Sequence, residues 1–316
     1  MVEINYSVIE SNICKCSKND YLVLKSNAYG FNLDKVLEIA VKRDYHKFAI
    51  ILLEDAIKIR EYDNNAKILL LGVFDPKQIY TYERYNIDIS INDLIEFKYL
   101  YMHKVNIQIA VNTGMNRFGI NPEEVFKALM MIKKTSLNLT GIYSHNATSI
   151  SNHIINQIEA FKYAIRGIDG IDIHYAASSL FLNKSFNARR IGDLLYTNSF
   201  AVYGKIIKIN KVKAGSYIGY EYAYKLKKTS YVGIIDFGYA DGLVRKCSGL
   251  IVYIKNRYYH LIGLACMNHS FVLLNDDFHK VGEKVHFISS YNHIVNYEKF
   301  TGKTSHEIYF DFLKSY

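Results

Sequence analysis

No stretch of this sequence stays apolar for the roughly 20 residues that a helix needs to cross a bilayer, so no membrane span is expected. Its 316 residues include only four cysteines, Cys14, Cys16, Cys247 and Cys266. Four thiols in a chain of this length give no disulfide framework, and Cys14-Lys15-Cys16 is spaced too tightly for a common zinc knuckle. Reduced thiols, no metal and a cytoplasmic location are the expectations. The N-terminal Met1–Tyr6 alternates like a strand and lacks the basic-then-apolar layout of a signal peptide. Tryptophan is absent, and the two prolines leave no proline-rich linker. The net charge of +9 raises nucleic-acid binding as a question. The basic residues are scattered rather than gathered in a stripe, so no nucleic-acid or membrane partner is expected; a local anion site accounts for the excess.

What the chain does contain is a rhythm. From Tyr21, short apolar runs alternate with amphipathic segments. The strand-like runs are 22–25, 48–53, 68–71, 87–91, 107–111, 139–143, 171–175 and 188–191. Helical patterns lie between them at 33–43, 54–62, 76–85, 94–103, 122–134 and 152–166, with a short seventh link at 178–186. Asp75-Pro76 and Asn121-Pro122 place a capping residue before a proline at the first helical position. Eight strand–helix units predict an N-terminal (β/α)8 TIM-type barrel at 1–202, with a doubly wound open sheet as the alternative. Beyond residue 203 the runs 202–209, 230–236, 250–254, 257–260, 271–274 and 284–288 follow one another with almost no helix, apart from a short one at 297–301. The class is therefore α/β, with a C-terminal β-rich domain at 203–316; the extreme N-terminus is free to pair with that domain.

In barrels of this type the chemistry sits at the C-terminal ends of the strands. The first strand-like run, Leu22-Val23-Leu24, leads there to a lysine, and an ammonium without a partner in a buried place is costly. A rim lysine that snorkels is one reading. A lysine made reactive by desolvation and neighbouring cations is the other.

The surrounding residues favour the second. Lys25-Ser26-Asn27-Ala28-Tyr29-Gly30 resembles the cofactor-lysine motif of the alanine racemases, a fold-type III family dependent on pyridoxal 5'-phosphate. Five further segments are similar to that family, in its order: Asn112–Gly119, Gly141–Thr148, His174–Ser179, Arg190–Asp193 and Ala214–Tyr220. The resemblance covers nearly the whole chain. It implies that Lys25 forms the Schiff base with the cofactor and carries one α-proton. Tyr29, Ser178 (with Ser179 as its neighbour alternative), Gly192 and Asp193 would meet the phosphate. Arg117 would touch the phenolic oxygen and the substrate, and His145 would lie beside the ring. Arg190 would face the ring nitrogen; an arginine there keeps that nitrogen neutral, because guanidinium does not give up its proton. Tyr220 would be the second acid–base, on the opposite face of the substrate. A free tyrosine titrates near pH 10 and is a poor base at neutrality, so cations such as His145 and Arg190 are expected to assist it. Tyr239, Met267 and Asn268 would line the substrate site. The partner implied is a second copy of the chain, with active sites shared in a homodimer.

The function implied is interconversion of L- and D-alanine, supplying D-alanine for peptidoglycan. A racemase of serine or another amino acid, and a weakly active or non-catalytic cofactor-binding homologue, are the alternatives. Departures from the family motif bear on them. Ala110 stands where a bracing carbamylated lysine is common, Asn112 and Asn268 replace aspartates, Ala177 replaces asparagine, and Glu221 replaces the glycine after the tyrosine.

Overall fold

The computed structural model describes residues 1–148, 151–175, 186–274 and 278–314, which form two compact units. The chain opens with strand β1 (Val2–Ile4), followed by a helix, Tyr6–Ile13, that the sequence patterning did not suggest. The first unit comprises Glu10–Ala28 and Asn32–Leu195. Its strands are β2 (Tyr21–Val23), β3 (Lys47–Ile50), β4 (Lys67–Leu70), β5 (Ile87–Ile91), β6 (Asn106–Val111), β7 (Asn138–Ser144), β8 (Asp172–Tyr175) and β9 (Arg190–Ile191). They pair in the order β8-β7-β6-β5-β4-β3-β2-β9, each neighbour pair running parallel. A parallel bridge between His174 and Ala188 joins the two ends of the sheet and closes the barrel. The open-sheet alternative is therefore excluded.

The strands are buried on both faces, as parallel strands under helices must be. Leu22, Phe48, Ile68, Ile89, Ile107, Ile109 and Ile142 are fully inaccessible. Between them run helices Leu33–Lys42, Leu53–Tyr62, Ile79–Arg84, Phe97–Leu100, Val125–Ile132 and Ser151–Ala164. Three expected helices start instead as 3₁₀ turns, at Pro76, Leu94 and Pro122. Asp75 caps its turn through the Lys77 amide at 2.9 Å. Asn121 makes no such cap; its side-chain amide donates to Glu124 at 3.1 Å. Most of the seventh link, including Ala177, Ser178 and Ser179, lies outside the described residues.

The second unit comprises Met1–Ile9, Tyr29–Phe31 and Tyr196–Tyr316. After β1 its strands are β10 (Phe200–Val212), β11 (Tyr217–Ile218), β12 (Tyr224–Lys225), β13 (Ser230–Ile235), β14 (Ile251–Ile254), β15 (Arg257–Leu261), β16 (Ser270–Leu274) and β17 (Lys284–Ile288). Seven of them form one antiparallel sheet, β1-β10-β13-β16-β15-β14-β17, and β17 pairs back onto β10. Phe237, Val252, Val285 and Phe287 fill its core. Two helices finish the chain, Tyr291–Thr301 and Ser305–Leu313. The first is longer than the short helix expected. The second was not expected, because its aromatic run is β-prone; its start is nonetheless signed by a capping box between Thr304 and Glu307. Among the described residues no helix is long and apolar enough to cross a membrane, and the four cysteines form no disulfide.

Candidate active site

The expected strand through Lys25 ends two residues early, at Val23. Lys25 instead opens a left-handed turn. Ser26 (φ 53°, ψ 55°), Asn27 (φ 55°, ψ 46°) and Ala28 (φ 54°, ψ 50°) follow one another in the left-handed region, and Tyr29 continues it at φ 58°. None of the four is glycine, and such residues visit this region singly as a rule. Two bonds hold the turn. The Ala28 amide donates to the Leu24 carbonyl at 3.0 Å, and Asn27 Oδ1 accepts from the Leu33 amide at 2.8 Å. The turn lifts Lys25 out of the sheet at the C-terminal end of β2. There burial pushes its pKa down, and the nearby Arg117 cation pushes it further.

Arg117 sits on a loop that leaves β6 and folds straight back. The Ile120 amide donates to the Ala110 carbonyl at 2.9 Å and the Asn112 amide to the Ile120 carbonyl at 2.8 Å. Gly119 is required at the return: at φ 107°, a Cβ would lie 2.7 Å from the Asn112 nitrogen. Asn112 does the work of a loop aspartate, since its Oδ1 accepts from the amides of Gly114 (3.2 Å) and Asn116 (3.0 Å). Thr113 ties the loop to β7 through the Ser144 hydroxyl at 2.7 Å. The Arg117 side chain is exposed.

His145 follows β7 directly. Burial first, then Arg190, Arg117 and Lys25, drive its pKa down to about 3. It is therefore not the cation expected of it; it is a neutral ring at physiological pH. Arg190, on β9, is 5% exposed. Its Nη1 donates to His174 Nδ1 at 2.8 Å and to the His174 carbonyl at 3.2 Å. Its Nη2 donates to the Ser144 carbonyl at 2.5 Å and approaches His145 Nδ1 at 3.4 Å. The guanidinium lies 4.7 Å over the Tyr143 ring. Burial lowers its pKa to about 10, which leaves it cationic at neutral pH. Gly192 and Asp193 follow β9; the Leu195 amide donates to the Gly192 carbonyl at 2.9 Å, opening a 3₁₀ turn at Asp193.

Lys25, Arg117, His145 and Arg190 are thus brought together at one end of the barrel, and Ser178 lies outside the described residues. Among the described residues, Asn146 is buried there with neither side-chain amide atom hydrogen-bonded. The layer beneath joins His174 and Tyr143, which lie in family-like segments but were given no role, to Gln108, Tyr21 and Asp88, which the sequence did not single out. Its signal was present, as polar residues inside apolar strand runs such as Ile107-Gln108-Ile109 and Ile87-Asp88-Ile89.

The remaining candidates belong to the β unit. Tyr29 packs against Tyr196 and His306, each at 5.2 Å between ring centroids. Tyr220 is 61% exposed in a 3₁₀ turn, Tyr220–Tyr222. Glu221 there has φ 61°, a conformation suited to glycine, and its carboxylate pairs with Arg245 at 2.7 Å. Tyr239 and Met267 share a backbone corner: the Tyr239 amide donates to the Cys266 carbonyl (3.0 Å) and the Ala240 amide to that of Met267 (2.9 Å). Gly238 permits this approach, since a Cβ would come within 2.4 Å of both carbonyl oxygens. Asn268 is exposed beside them.

Known proteins share this plan. The family model described as "Alanine racemase, N-terminal domain" matches residues 2–199, and "Alanine racemase, C-terminal domain" matches 199–315. Alanine racemase of Fusobacterium nucleatum is 27% identical over 91% of this chain and 89% of its own. That of Helicobacter pylori strain G27 is 29% identical over 89% and 85%. Among solved structures, the biosynthetic alanine racemase from Pseudomonas aeruginosa superposes with TM-score 0.88 at 21% identity, over 99% of this chain and 96% of that one. The alanine racemase from E. faecalis gives 0.83 at 21% identity, over 98% and 95%. With both domains matched end to end, the chain belongs to the alanine racemase family, a family of isomerases.

Proposed function

We propose that this chain racemises alanine with pyridoxal 5'-phosphate, using Lys25 and Tyr220 as two proton carriers. One observation carries the reading. Arg190, Arg117 and Lys25 all act on His145, and Arg117 acts on Lys25. All three are cations, gathered in a partly desolvated place that favours a negative charge among them. Such a set calls for an anionic occupant, and the phosphate and phenolic oxygen of pyridoxal phosphate fit it. The orphaned Asn146 amide is a further donor and acceptor for that occupant.

When bound, the cofactor would supply an electron sink that acidifies the α-proton of an attached amino acid. Lys25 would hold it, and Tyr29, Ser178, Gly192 and Asp193 would receive its phosphate. Arg117 and His145 would flank the ring, His145 as a neutral group. Arg190 would face the ring nitrogen with the Nε–H that its contacts to His174, Ser144 and His145 leave over. Its own partners are carbonyls and imidazoles, so the nitrogen meets no carboxylate that would protonate it. Lys25 Nζ then takes or returns the α-proton on one face, and Tyr220 Oη does so on the other. Tyr239, Met267 and Asn268 would border the substrate carboxylate and the entrance. A homodimer in which Tyr220 of one copy serves Lys25 of the other accounts for the exposure of Tyr220. The relatives' named activity supports alanine as the substrate, and the product would serve peptidoglycan synthesis in the cytoplasm.

The test is racemisation of L-alanine by purified protein with added pyridoxal phosphate, followed by chiral chromatography. Lys25→Ala should abolish both turnover and the cofactor's visible absorbance. Tyr220→Phe should keep the absorbance and lose at least the roughly hundredfold expected of a missing acid–base group. Solvent exchange of the α-proton should then favour the enantiomer that Lys25 serves. Unracemised L-alanine with wild-type protein, or equal exchange of both enantiomers in Tyr220→Phe, would sink the two-carrier reading. Mixing the two variants tests the dimer: shared sites should restore part of the activity in hybrids.

A further inference from the structure

We infer that Gln108 is a positioning residue: its side-chain amide fixes the tautomer of His174 and thereby aims the Arg190 guanidinium. The inference rests on the reading of Arg190 as the group facing the cofactor's ring nitrogen. No motif that carries the family resemblance includes Gln108.

The geometry leaves one assignment of donors. A guanidinium only donates, so His174 Nδ1, 2.8 Å from Arg190 Nη1, must be an acceptor. The ring's proton is then on Nε2, which donates to Gln108 Oε1 at 2.7 Å. That turns the Gln108 Nε2 hydrogens toward Asp88 Oδ2 at 2.8 Å and the Tyr21 hydroxyl oxygen at 3.0 Å. Tyr21 in turn donates to Asp172 at 2.6 Å. Every donor in this series points the same way along the barrel interior, from Arg190 to two carboxylates. An amide reversed at Gln108 would set its N–H₂ against the His174 N–H and its oxygen against Asp88.

The fold is shaped to keep this amide in place. Gln108 and His174 are both fully buried. The His174 ring is stacked between Tyr21 (4.8 Å) and Tyr143 (5.1 Å), so it can turn only in its own plane. The β6–β7 register shifts between Ile107 and Gln108. Opposite, Gly141 leaves the room the side chain occupies, since a Cβ there would lie 2.8 Å from Gln108 Oε1. An amide also cannot titrate. A carboxyl at this point would face His174 on β8, Asp88 on β5 and Tyr21 on β2, with Lys47, Lys67 and Asp172 beyond them. Once ionised beside Asp88, it would favour a doubly protonated His174. That imidazolium has no lone pair for Arg190, so the guanidinium would lose its aim.

The experiment is ¹⁵N NMR of histidine-labelled full-length protein, cofactor-free and cofactor-loaded, with His174→Gln used only to assign the signal. Wild type should show His174 as one neutral Nε2–H tautomer from about pH 5.5 to 8.5, outside the normal titration of a free histidine near 6.5. Gln108→Leu should show both tautomers. The isosteric Gln108→Glu should raise the affinity of His174 for a second proton, giving a doubly protonated ring at the acid end of that range that returns to the neutral form as pH rises. Where the ring is doubly protonated kcat should lie about tenfold or more below wild type, the scale of one charged hydrogen bond, with little change in KM, and it should recover as pH rises. A wild-type ring protonated on Nδ1, or an unchanged single tautomer in Gln108→Leu, overturns the inference. The cofactor-free spectra do not depend on turnover. Absent racemisation with the expected tautomers would therefore remove the racemase reading and leave the Gln108 assignment standing.

Discussion

The two ends of the barrel both collect cations and treat them oppositely. At the N-terminal end of the strands, Lys47 and Lys67 close on Asp172 at 3.0 and 2.8 Å, and Tyr21 donates to the same carboxylate. At the C-terminal end, Arg117 acts on both Lys25 and Arg190, and all three cations act on His145. The lower end is balanced within the chain, which is what a scaffold needs. The upper end gathers positive charge around a half-buried lysine and a neutral imidazole, which suits an anionic occupant. Compensation, more than residue type, separates structure from site here.

Breaking the balanced end should have the largest effect on stability. Asp172→Asn leaves two half-buried lysines without their counter-charge. Cofactor-free protein should lose about 2 kcal/mol of unfolding free energy in urea, below the roughly 3–5 of a fully buried pair. The loss has a pH signature. Burial pushes the Asp172 carboxyl up, but the bonds from Lys67, Tyr21 and Lys47 outweigh it and hold it below its usual value. Its contribution is therefore complete above the ordinary aspartate pKa near 4 and lost as pH falls through the lower folded value. Wild type and variant should converge in acid; a gap unchanged at pH 2 would refute the assignment.

Removing a cation from the other end should have the opposite sign. Arg117→Met relieves like-charge repulsion and should raise cofactor-free stability by no more than about 1 kcal/mol. Inorganic phosphate should raise the melting temperature of wild type more than that of the variant. Destabilisation by Arg117→Met without cofactor would erase the contrast between the ends. The smallest effect belongs to His145. Held at about 3, its imidazole should give no NMR titration between pH 5 and 8. An unfolded histidine binds a proton below about pH 6.5, so His145 should lower stability as pH falls from there toward 3. His145→Gln should flatten that slope.

The fold was legible because hydrophobic periodicity survives in all eight barrel strands, and each expected run overlaps an observed one. Boundaries drifted where the chain leaves a strand under tertiary control. Nothing in Leu24-Lys25-Ser26 signals a reversal of backbone hand, so the first strand was drawn too long. The helix Ser305–Leu313 hid behind aromatic residues whose local preference is extended, although its capping box was in plain sight. The cation cluster was legible through motif order. Its electrical state was not, because the neutrality of His145 comes first from burial and then from three charges that sequence distance does not bring together. Gln108 and Asp88 stood out only as polar interruptions in apolar strands, and their shared network needed the barrel's register.

The turn at Ser26–Tyr29 has a stereochemical consequence. For L-residues each left-handed step is unfavourable by about 1–2 kcal/mol, because Cβ crowds the following carbonyl. For a D-residue the same step is the comfortable one. Ala28, fully buried and bonded back to Leu24, therefore occupies a place where its own mirror image would fit the backbone better. A chain made by semisynthesis with D-alanine at position 28 should tolerate the inversion, whereas inversion in a right-handed helix such as Leu33–Lys42 should not be tolerated. A protein of the alanine racemase family thus holds, next to its candidate cofactor lysine, an alanine whose backbone already favours the D form.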